Sequence, residues 1–153
     1  IRRPADQDPC LCGSGNVYGR CCGPLHRGEA APSPERLMRS RYSAFALGDA
    51  RYLADTWHPR TRPERIDIDP DVHWVGLRIL DAPAVGAGTT GGIVEFRARW
   101  RHGAEAGEQH ERSRFRLAAG RWWYLEAETA GSGIPSRMPR PADPVVLRTL
   151  RLL

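Results

Sequence analysis

Long apolar runs are missing from this chain of 153 residues. No window approaches the roughly 20 consecutive apolar residues that a membrane span needs, and the opening IRRPADQDPC lacks the apolar segment of a secretory signal. We therefore expect a soluble, cytoplasmic protein without a membrane span. Internal repeats and low-complexity tracts are also absent, and the length suffices for one ordinary core. One main domain with a small appendage is the expected organisation.

Lysine is absent too, so all 23 basic residues are arginine, and the formal net charge is +5 at pH 7. We attribute the arginine-only usage to coding bias rather than to readout of nucleic-acid bases. The positive balance itself favours an acidic partner, such as RNA, a ribosome or an acidic protein surface. A basic accessory factor that binds rRNA or the ribosome is therefore one alternative function. The sequence does not indicate the oligomeric state.

Cysteine is absent after position 22, and all four cysteines lie within the stretch CLCGSGNVYGRCC. A disulfide framework would fit an exported protein, and a bridge between the adjacent Cys21 and Cys22 would be strained. Redox-active thiols more usually occur as C-x-x-C beside a βαβ unit, which is not the pattern here. The clustering instead predicts one metal ion held by four thiolates, those of Cys10, Cys12, Cys21 and Cys22.

Chain reversal between the two cysteine pairs is needed to bring four sulfurs to one point. The glycines of GSGNVYGR permit such a reversal, namely Gly13, Gly15 and Gly19. Zn²⁺ is the favoured ion because four sulfurs suit it, although iron can occupy the same set. Four protein ligands leave no open position, so we expect a structural or docking site rather than a catalytic one. His26 is an alternative ligand that we place outside the metal's own ligand set.

Two helices are predicted after the cysteine segment. Ser33 can cap the first helix, Pro34 suits its first turn, and Gly48 can end it. Asp49 can cap a second, shorter helix that runs to about Trp57, just before a proline.

The periodicity then changes from helical to alternating. Alternation predicts four strands within VHWVGLRIL, GIVEFRARWRH, HERSRFRLA and RWWYLEAE. In the first strand, Val75, Leu77 and Ile79 form the apolar side opposite Trp74. Four strands with one polar face predict an antiparallel sheet that buries its other face under the helices. The fold class is therefore α+β, with a metal-binding segment at 1–30, a main domain at 31–130, and a linker with an apolar tail at 131–153.

The cysteine segment resembles the SEC-C motif, a small metal-binding module named from the C-terminus of the SecA translocation ATPase. Residues 10–22 match its C-x-C-G-S-G…C-C frame, but Leu11 replaces the usual proline, and Asn16, Val17 and Arg20 stand in its usually lysine-rich middle. The resemblance implies metal ligation by the four cysteines. It also implies docking to a partner in protein biogenesis, either the SecB chaperone or the ribosome.

A longer resemblance covers roughly residues 8–130 and extends to the stretches HERSRF and RWWYLE. These are similar to the YchJ-like family of bacterial proteins. That resemblance implies a domain like nuclear transport factor two, a cone of curved antiparallel sheet wrapped around N-terminal helices. It implies no particular enzyme activity. Some members end in a second SEC-C motif, which this chain lacks because no cysteine follows Cys22.

A cone of this kind can hold a small molecule or an active site, and this is the second alternative function. The candidate acid, base or ligand-binding groups of such a pocket are Tyr42, His58, His110, Glu111 and Glu126. The competing interpretation is structural: HERSRF can form ion pairs with Arg39 or Arg41, and the tryptophans can fill the core. Arginines on alternate strand positions, interleaved with glutamates, are expected to form a solvated face of mixed charge.

Overall fold

The computed structural model describes residues 2–128 and confirms an α+β fold. Four strands form one antiparallel sheet in the order β1-β2-β3-β4, and the sheet does not close on itself. The predicted linker and tail at 131–153 lie outside the described residues. In chain order the elements are a 3₁₀ turn Tyr18–Arg20, α1 Cys22–His26, α2 Pro34–Leu47, α3 Ala50–Asp55, β1 Val72–Asp81, β2 Gly91–His102, β3 Glu105–Ala118 and β4 Arg121–Ala127.

Both predicted helix starts are confirmed by their caps. The Ser33 hydroxyl accepts a hydrogen bond from the backbone N–H of Arg36, and the Asp49 carboxylate accepts one from Tyr52 N–H. Gly48 ends α2 with a φ of 74°, a left-handed conformation that glycine adopts without steric cost. α3 ends at Asp55, two residues earlier than predicted.

One side of the sheet, here called the inner face, packs against α2. The predicted alternation is confirmed in β2 and across Gln109–Leu117 of β3, where inward residues are buried or half-buried and the intervening arginines and glutamates lie on the opposite, outer face. In β4 Trp122 and Tyr124 face inward, and a register shift after Tyr124 turns Glu126 outward. Strand geometry requires this, since successive side chains point to opposite sides. The inner face is formed by Val94, Phe96, Ala98, Trp100, Gln109, Glu111, Ser113, Phe115, Trp122 and Tyr124.

The predicted burial pattern is wrong at the start of β1. Trp74 is buried, whereas Val75 is 48% exposed. A register shift between Trp74 and Gly76 leaves Val75 without a partner residue on β2. This bulge moves the inward positions by one, so Leu77 and Ile79 face the core as predicted but Val75 does not.

The cysteine segment and the sheet share one core. Cys12, Cys21 and Cys22 are as buried as Leu37 and Phe96, and all of them belong to one cluster of buried side chains. The proposed division at residue 30 stays a prediction. Within residues 2–128, no helix is both long enough and apolar enough to cross a membrane. The cytoplasmic location stays a prediction as well.

Candidate metal centre

The loop between the two cysteine pairs reverses the chain as predicted. Its ends are joined by a bridge between Pro9 and Val17, and the backbone N–H of Cys10 donates to the carbonyl of Asn16 at 3.0 Å. Gly13 and Gly15 have φ of 73° and 88°, values that side-chain-bearing residues rarely adopt. The reversal therefore depends on these two glycines.

The four thiols converge on one point. All their sulfur atoms lie within 4.8 Å of one another, and all four residues are buried. The Sγ atoms of Cys12 and Cys21 are 3.5 Å apart, and those of Cys21 and Cys22 are 4.0 Å apart. A tetrahedron with metal–sulfur distances of about 2.3 Å has sulfurs about 3.8 Å apart, whereas a disulfide needs about 2.05 Å. The four thiols are free, and their spacing can accommodate a metal ion.

Polar groups from the loop and from α2 surround the sulfurs. The Ser14 hydroxyl lies 3.1 Å from Cys21 Sγ, and the Ser43 hydroxyl donates to Cys22 Sγ at 3.3 Å. Hydrogen bonds of this kind orient thiolate ligands and disperse their charge. The second of them comes from α2 and ties the cysteine segment to the main helix.

Two arginines of α2 hold the backbone of the cysteine segment. Arg36 Nη2 donates to the carbonyl of Cys21 at 3.2 Å, and Arg39 Nη1 donates to the carbonyl of Cys12 at 3.1 Å. Four thiolates around a divalent ion carry a net charge of −2, so nearby guanidinium groups offset that charge. The segment is thus fixed to α2 at both cysteine pairs.

The pKa values of the cysteine thiols are shifted in different directions within the cluster. Hydrogen bonds from Cys10 and Cys22 lower the pKa of Cys12, whereas burial raises the pKa of Cys21 to about 11. The pKa of Cys22 is raised, first by its hydrogen bonds with Cys10 and Cys12. A metal ion binds thiolates, so it must displace whatever protons the four sulfurs hold, and metal affinity should therefore rise with pH.

His26 lies beside the cluster but its ring nitrogens are both engaged elsewhere. Nδ1 is 2.7 Å from the Tyr18 hydroxyl, and Nε2 is 2.8 Å from the Ser40 carbonyl oxygen. Burial lowers the pKa of His26, which favours the neutral ring. This agrees with the prediction that His26 stands outside the metal's ligand set, where it links the cysteine segment to α2.

The candidate acid–base residues of the second alternative function do not form one site. His110 is on the outer face, with Nε2 at 2.7 Å from a Glu95 carboxylate oxygen. Glu126 is also exposed and pairs with Arg114 at 3.7 Å. His58 follows α3, where its Nδ1 accepts from the backbone N–H of Arg60. The second alternative function requires these groups to converge in a pocket, and in the described residues His58, His110 and Glu126 lie apart, each with a different partner.

Glu111 and Tyr42 face the interior. Tyr42 is 1% exposed and packs edge-on against Trp74, and burial raises the pKa of Tyr42 to about 12. The Glu111 carboxylate accepts from Gln109 Nε2 at 3.1 Å and from the hydroxyls of Ser113 and Tyr124. His110 and Glu111 are neighbours in a strand, so they point to opposite faces and cannot act together.

The ion pairs of HERSRF with Arg39 or Arg41, which the structural interpretation suggested, are not found among the described residues. Arg39 pairs with Glu35 at 3.2 Å, one helical turn away. Arg41 is completely buried, and its Nη1 donates to the carbonyl of Leu53 and to the Thr56 hydroxyl. Sequence analysis missed the interior role of Arg41, although its spacing of four from Leu37 and four from Phe45 places it on the apolar side of α2.

The outer face carries mixed charge as predicted. Arg97 pairs with Glu108 at 3.2 Å, and Arg112 contacts carboxylates of Glu95, Asp81 and Glu128. Such pairs neutralise part of the basic surface locally, and exposed ion pairs stabilise little. Binding of rRNA by this face stays an untested prediction.

A pH-dependent contribution to stability is expected from Glu111, because burial raises its pKa. The folded state then holds the Glu111 proton more tightly than the unfolded chain does. The stabilisation is fully present below the unfolded pKa of about 4.3 and is lost as the pH rises through the folded pKa. Urea unfolding between pH 4 and 8 should show the free energy of unfolding falling in the wild type relative to Glu111→Gln. If the free energies of unfolding of the two proteins differed by the same amount at every pH, a raised pKa of Glu111 in the folded state would be contradicted.

Known protein families match both the cysteine segment and the main domain of this chain. Residues 33–127 match the family described as the YchJ middle domain, which is NTF2-like, and residues 8–24 match the SEC-C motif. A UPF0225 protein of Streptomyces coelicolor is 53% identical over 121 residues, covering 78% of this chain and 94% of that protein. A UPF0225 protein of Deinococcus radiodurans is 49% identical over 123 residues, which cover 78% of this chain and 88% of that protein.

Two solved structures share the fold. The solution structure of a SEC-C motif containing protein from Rhodopseudomonas palustris is 44% identical, with a TM-score of 0.69, and covers 78% of this chain and 97% of that one. The crystal structure of a SEC-C motif containing protein from Psychrobacter arcticus is 26% identical, with a TM-score of 0.62 and coverage of 83% and 82%. The chain therefore belongs to the YchJ-like UPF0225 family, in which a SEC-C motif precedes an NTF2-like domain.

Proposed function

We propose that this protein is a zinc-stabilised docking protein of protein biogenesis. In this proposal Cys10, Cys12, Cys21 and Cys22 ligate one Zn²⁺, and the ion holds the SEC-C motif against α2. The exposed loop of the motif then meets a protein partner. The observation that carries the proposal is the convergence of four buried sulfurs directly beside an exposed leucine, Leu11.

The ligand chemistry supports zinc in a structural role. Four thiolates at tetrahedral spacing satisfy the coordination of Zn²⁺ and leave no position for water or substrate. Iron can bind a similar set, and metal analysis distinguishes the two ions. Because the sulfurs belong to the shared core, loss of the ion would affect the packing of α2 as well as the motif.

The position of Leu11 supports docking. Its two neighbours in sequence, Cys10 and Cys12, are 7% and 0% exposed, whereas Leu11 itself is 37% exposed. The hydrogen bond from Arg39 to the carbonyl of Cys12 fixes the adjacent backbone. A rigidly presented apolar side chain loses little conformational entropy on binding, which is a property of residues that anchor interfaces.

The partner in this proposal has an acidic surface. The chain carries a formal charge of +5, which attracts such a surface over the range of a Debye length. The ribosome and the SecB chaperone are the two candidates that the SEC-C resemblance implies. Each can be purified and tested separately.

The test is binding of the metal-loaded protein to purified ribosomes by co-sedimentation and to purified SecB by calorimetry. Replacing Leu11 by Asp should weaken binding to the true partner at least tenfold, about 1.4 kcal/mol, while one metal ion per chain is retained. Leu80→Asp is the matched control, because Leu80 is 39% exposed on β1, and it should bind as the wild type does. Wild-type protein that binds neither partner, or Leu11→Asp protein that binds both normally, would refute docking through the motif.

The alternative function, rRNA binding, predicts a different result in the ribosome co-sedimentation assay. Phosphate contacts release counterions, so ribosome binding would fall steeply with salt and would survive Leu11→Asp. Replacing the outer-face Arg114 by Gln would then weaken binding at every salt concentration.

A further inference from the structure

The connection between β1 and β2, residues 82–90, forms a cleft with the outer face of the sheet. The cleft has a volume of about 440 Å³, which is within the range of pockets that hold small molecules. Its floor lies at the start of β2 and near the end of β3, where Arg114 and Arg116 line it. Both arginines are exposed, so the cleft opens to solvent and is bordered by two cations.

Two backbone hydrogen bonds fix the wall of this cleft. The N–H of Thr89 donates to the carbonyl of Gly86 at 3.1 Å, and the N–H of Leu117 on β3 donates to the carbonyl of Thr90 at 2.7 Å. The second bond ties the connection to the strand that carries both arginines. A ligand therefore meets a wall that is already in place, which lowers the entropy cost of binding.

The floor of the cleft is empty above Gly91. This residue is exposed, and apart from its neighbours in the chain no heavy atom lies within 4 Å of a Cβ built on it. Ile93 follows two residues later on the same face of β2, and it is half-buried, as is Val85 in the wall. Free space and an apolar lining thus lie beside the two arginines.

The two arginines differ in their ion pairs. Arg114 lies 3.7 Å from a carboxylate oxygen of Glu126, and both side chains are exposed. Arg116 forms no ion pair with a carboxylate within residues 2–128. Residues two apart on a strand are about 7 Å apart and point to the same side, so one small anion can reach both guanidinium groups.

A second cleft, on the other side of the same connection, has different chemistry. Its volume is about 470 Å³, and it is lined by the start of α2, including Glu35. None of the described residues that line it is an arginine. A carboxylate without a cation in the lining disfavours an anion there.

We propose that the cleft bordered by Arg114 and Arg116 binds a small phosphate monoester. The two guanidinium groups hold the phosphate, and the carbon skeleton of the ligand packs against Val85 and Ile93. A phosphate monoester carries about 1.5 to 2 negative charges at pH 7, which suits two arginines better than the single charge of a carboxylate does. Because the arginines are exposed, the phosphate keeps part of its hydration, and its desolvation cost is smaller than at a buried site. The site is independent of docking through the SEC-C motif.

The test is a titration of the metal-loaded, ¹⁵N-labelled full chain with phenyl phosphate, observed through the backbone N–H signals of Gly86, Gly91 and Gly92. Phenol is the uncharged counterpart, benzoate is the carboxylate counterpart, and inorganic phosphate lacks the carbon skeleton. Phenyl phosphate should shift these signals saturably, with a Kd of about 1 mM or below and at least about threefold tighter than each counterpart. No saturable shift up to about 20 mM, or equal affinity for benzoate or inorganic phosphate, would overturn the proposal.

An RNA oligonucleotide without a terminal phosphate distinguishes this site from a surface for nucleic acid. Its diesters carry one negative charge each and lack the second charge of a monoester, so it should bind more weakly than phenyl phosphate. Tighter binding of the oligonucleotide, with shifts of the same glycine signals, would overturn the small-molecule site and favour the rRNA alternative.

Three variants test the parts of the cleft. Arg116→Gln removes one of the two cations, so affinity for phenyl phosphate should fall at least about fivefold. Gly91→Val fills the free space without changing any charge, and affinity should fall by a similar factor. Glu126→Gln removes the carboxylate that competes for Arg114, so affinity should rise about twofold. Unchanged affinity in Gly91→Val would place the ligand elsewhere and contradict the proposal.

Arg101→Gln is the matched control for the loss of one positive charge. Arg101 is exposed at the opposite end of β2 from Gly91. Its replacement changes the net charge as much as Arg116→Gln does, yet affinity for phenyl phosphate should stay unchanged. If both variants weakened binding equally, general attraction by the net charge would explain it, and a specific site would be refuted.

Discussion

Replacing Cys22 by Ser is expected to abolish metal binding and to destabilise the whole domain. A serine hydroxyl does not ionise at neutral pH and is a poor zinc ligand, so the remaining three sulfurs lose most of the binding free energy. Cys22 is 1% exposed and accepts from Ser43 on α2, so its loss reaches the main core. We expect the metal content to fall from about one ion per chain to none, and the free energy of unfolding to fall by at least about 4 kcal/mol.

The control for this prediction is Ser43→Ala, which removes one hydrogen bond to the sulfur but no ligand. That variant should keep its metal and lose about 1 kcal/mol. A chelator should lower the unfolding temperature of the wild type and of Ser43→Ala but not that of Cys22→Ser. Wild-type protein with the same unfolding temperature before and after metal removal would contradict a structural role for the ion.

Replacing Gly23 by Ala is expected to distort the same region by crowding. A Cβ at this position would lie 2.7 Å from the backbone oxygen of Tyr18 and 3.2 Å from its ring, so the backbone must move. Alanine's better helix propensity offsets up to about 1 kcal/mol, but overpacking costs up to about 3 kcal/mol, which leaves a net loss of about 2 kcal/mol. Because Gly23 adjoins Cys22, metal affinity should fall together with stability. Urea unfolding and competition with a zinc chelator measure the two effects.

Gly91→Ala provides the matched control on the sheet. No atom lies within 4 Å of a Cβ built at Gly91, and the residue is exposed. Its stability and metal affinity should stay within about 0.5 kcal/mol of the wild type. Equal behaviour of the two alanine variants would show that the packing around Tyr18 does not position the metal ligands.

Local chemistry made the helices and most of the sheet predictable. Ser33, Gly48 and Asp49 each carry a capping function that depends only on their own side chain or φ. The cysteine cluster was predictable for a similar reason, because four thiols within one short loop have few other stable arrangements. The alternating patterns of β2 and β3 identified the buried face of each strand.

The bulge at Val75 could not be predicted from alternation. A bulge is a feature of pairing between two strands, and the partner positions on β2 are set only when the sheet forms. The sequence alone shows three apolar residues at alternate positions, which is the same pattern that a regular strand gives. The outcome reversed the predicted burial of Trp74 and Val75.

The polar side chains in the interior of the main domain also could not be predicted from the sequence. Arg41 looks like an ordinary helical arginine until its spacing from Leu37 and Phe45 is weighed, and even then long-range packing decides whether its charge is buried. Gln109 and Glu111 alternate with outward-facing residues in the same way as the apolar positions do. Only the packing of α2 against the sheet brings the Glu111 charge close enough to act on Arg41.

X-ray absorption at the metal edge of the purified full-length protein tests the central claim most directly. Our account predicts one zinc ion per chain surrounded by four sulfur atoms at about 2.3 Å and no nitrogen or oxygen in the first coordination shell. A folded protein whose metal has fewer than four sulfur neighbours, or that contains no metal, would contradict it.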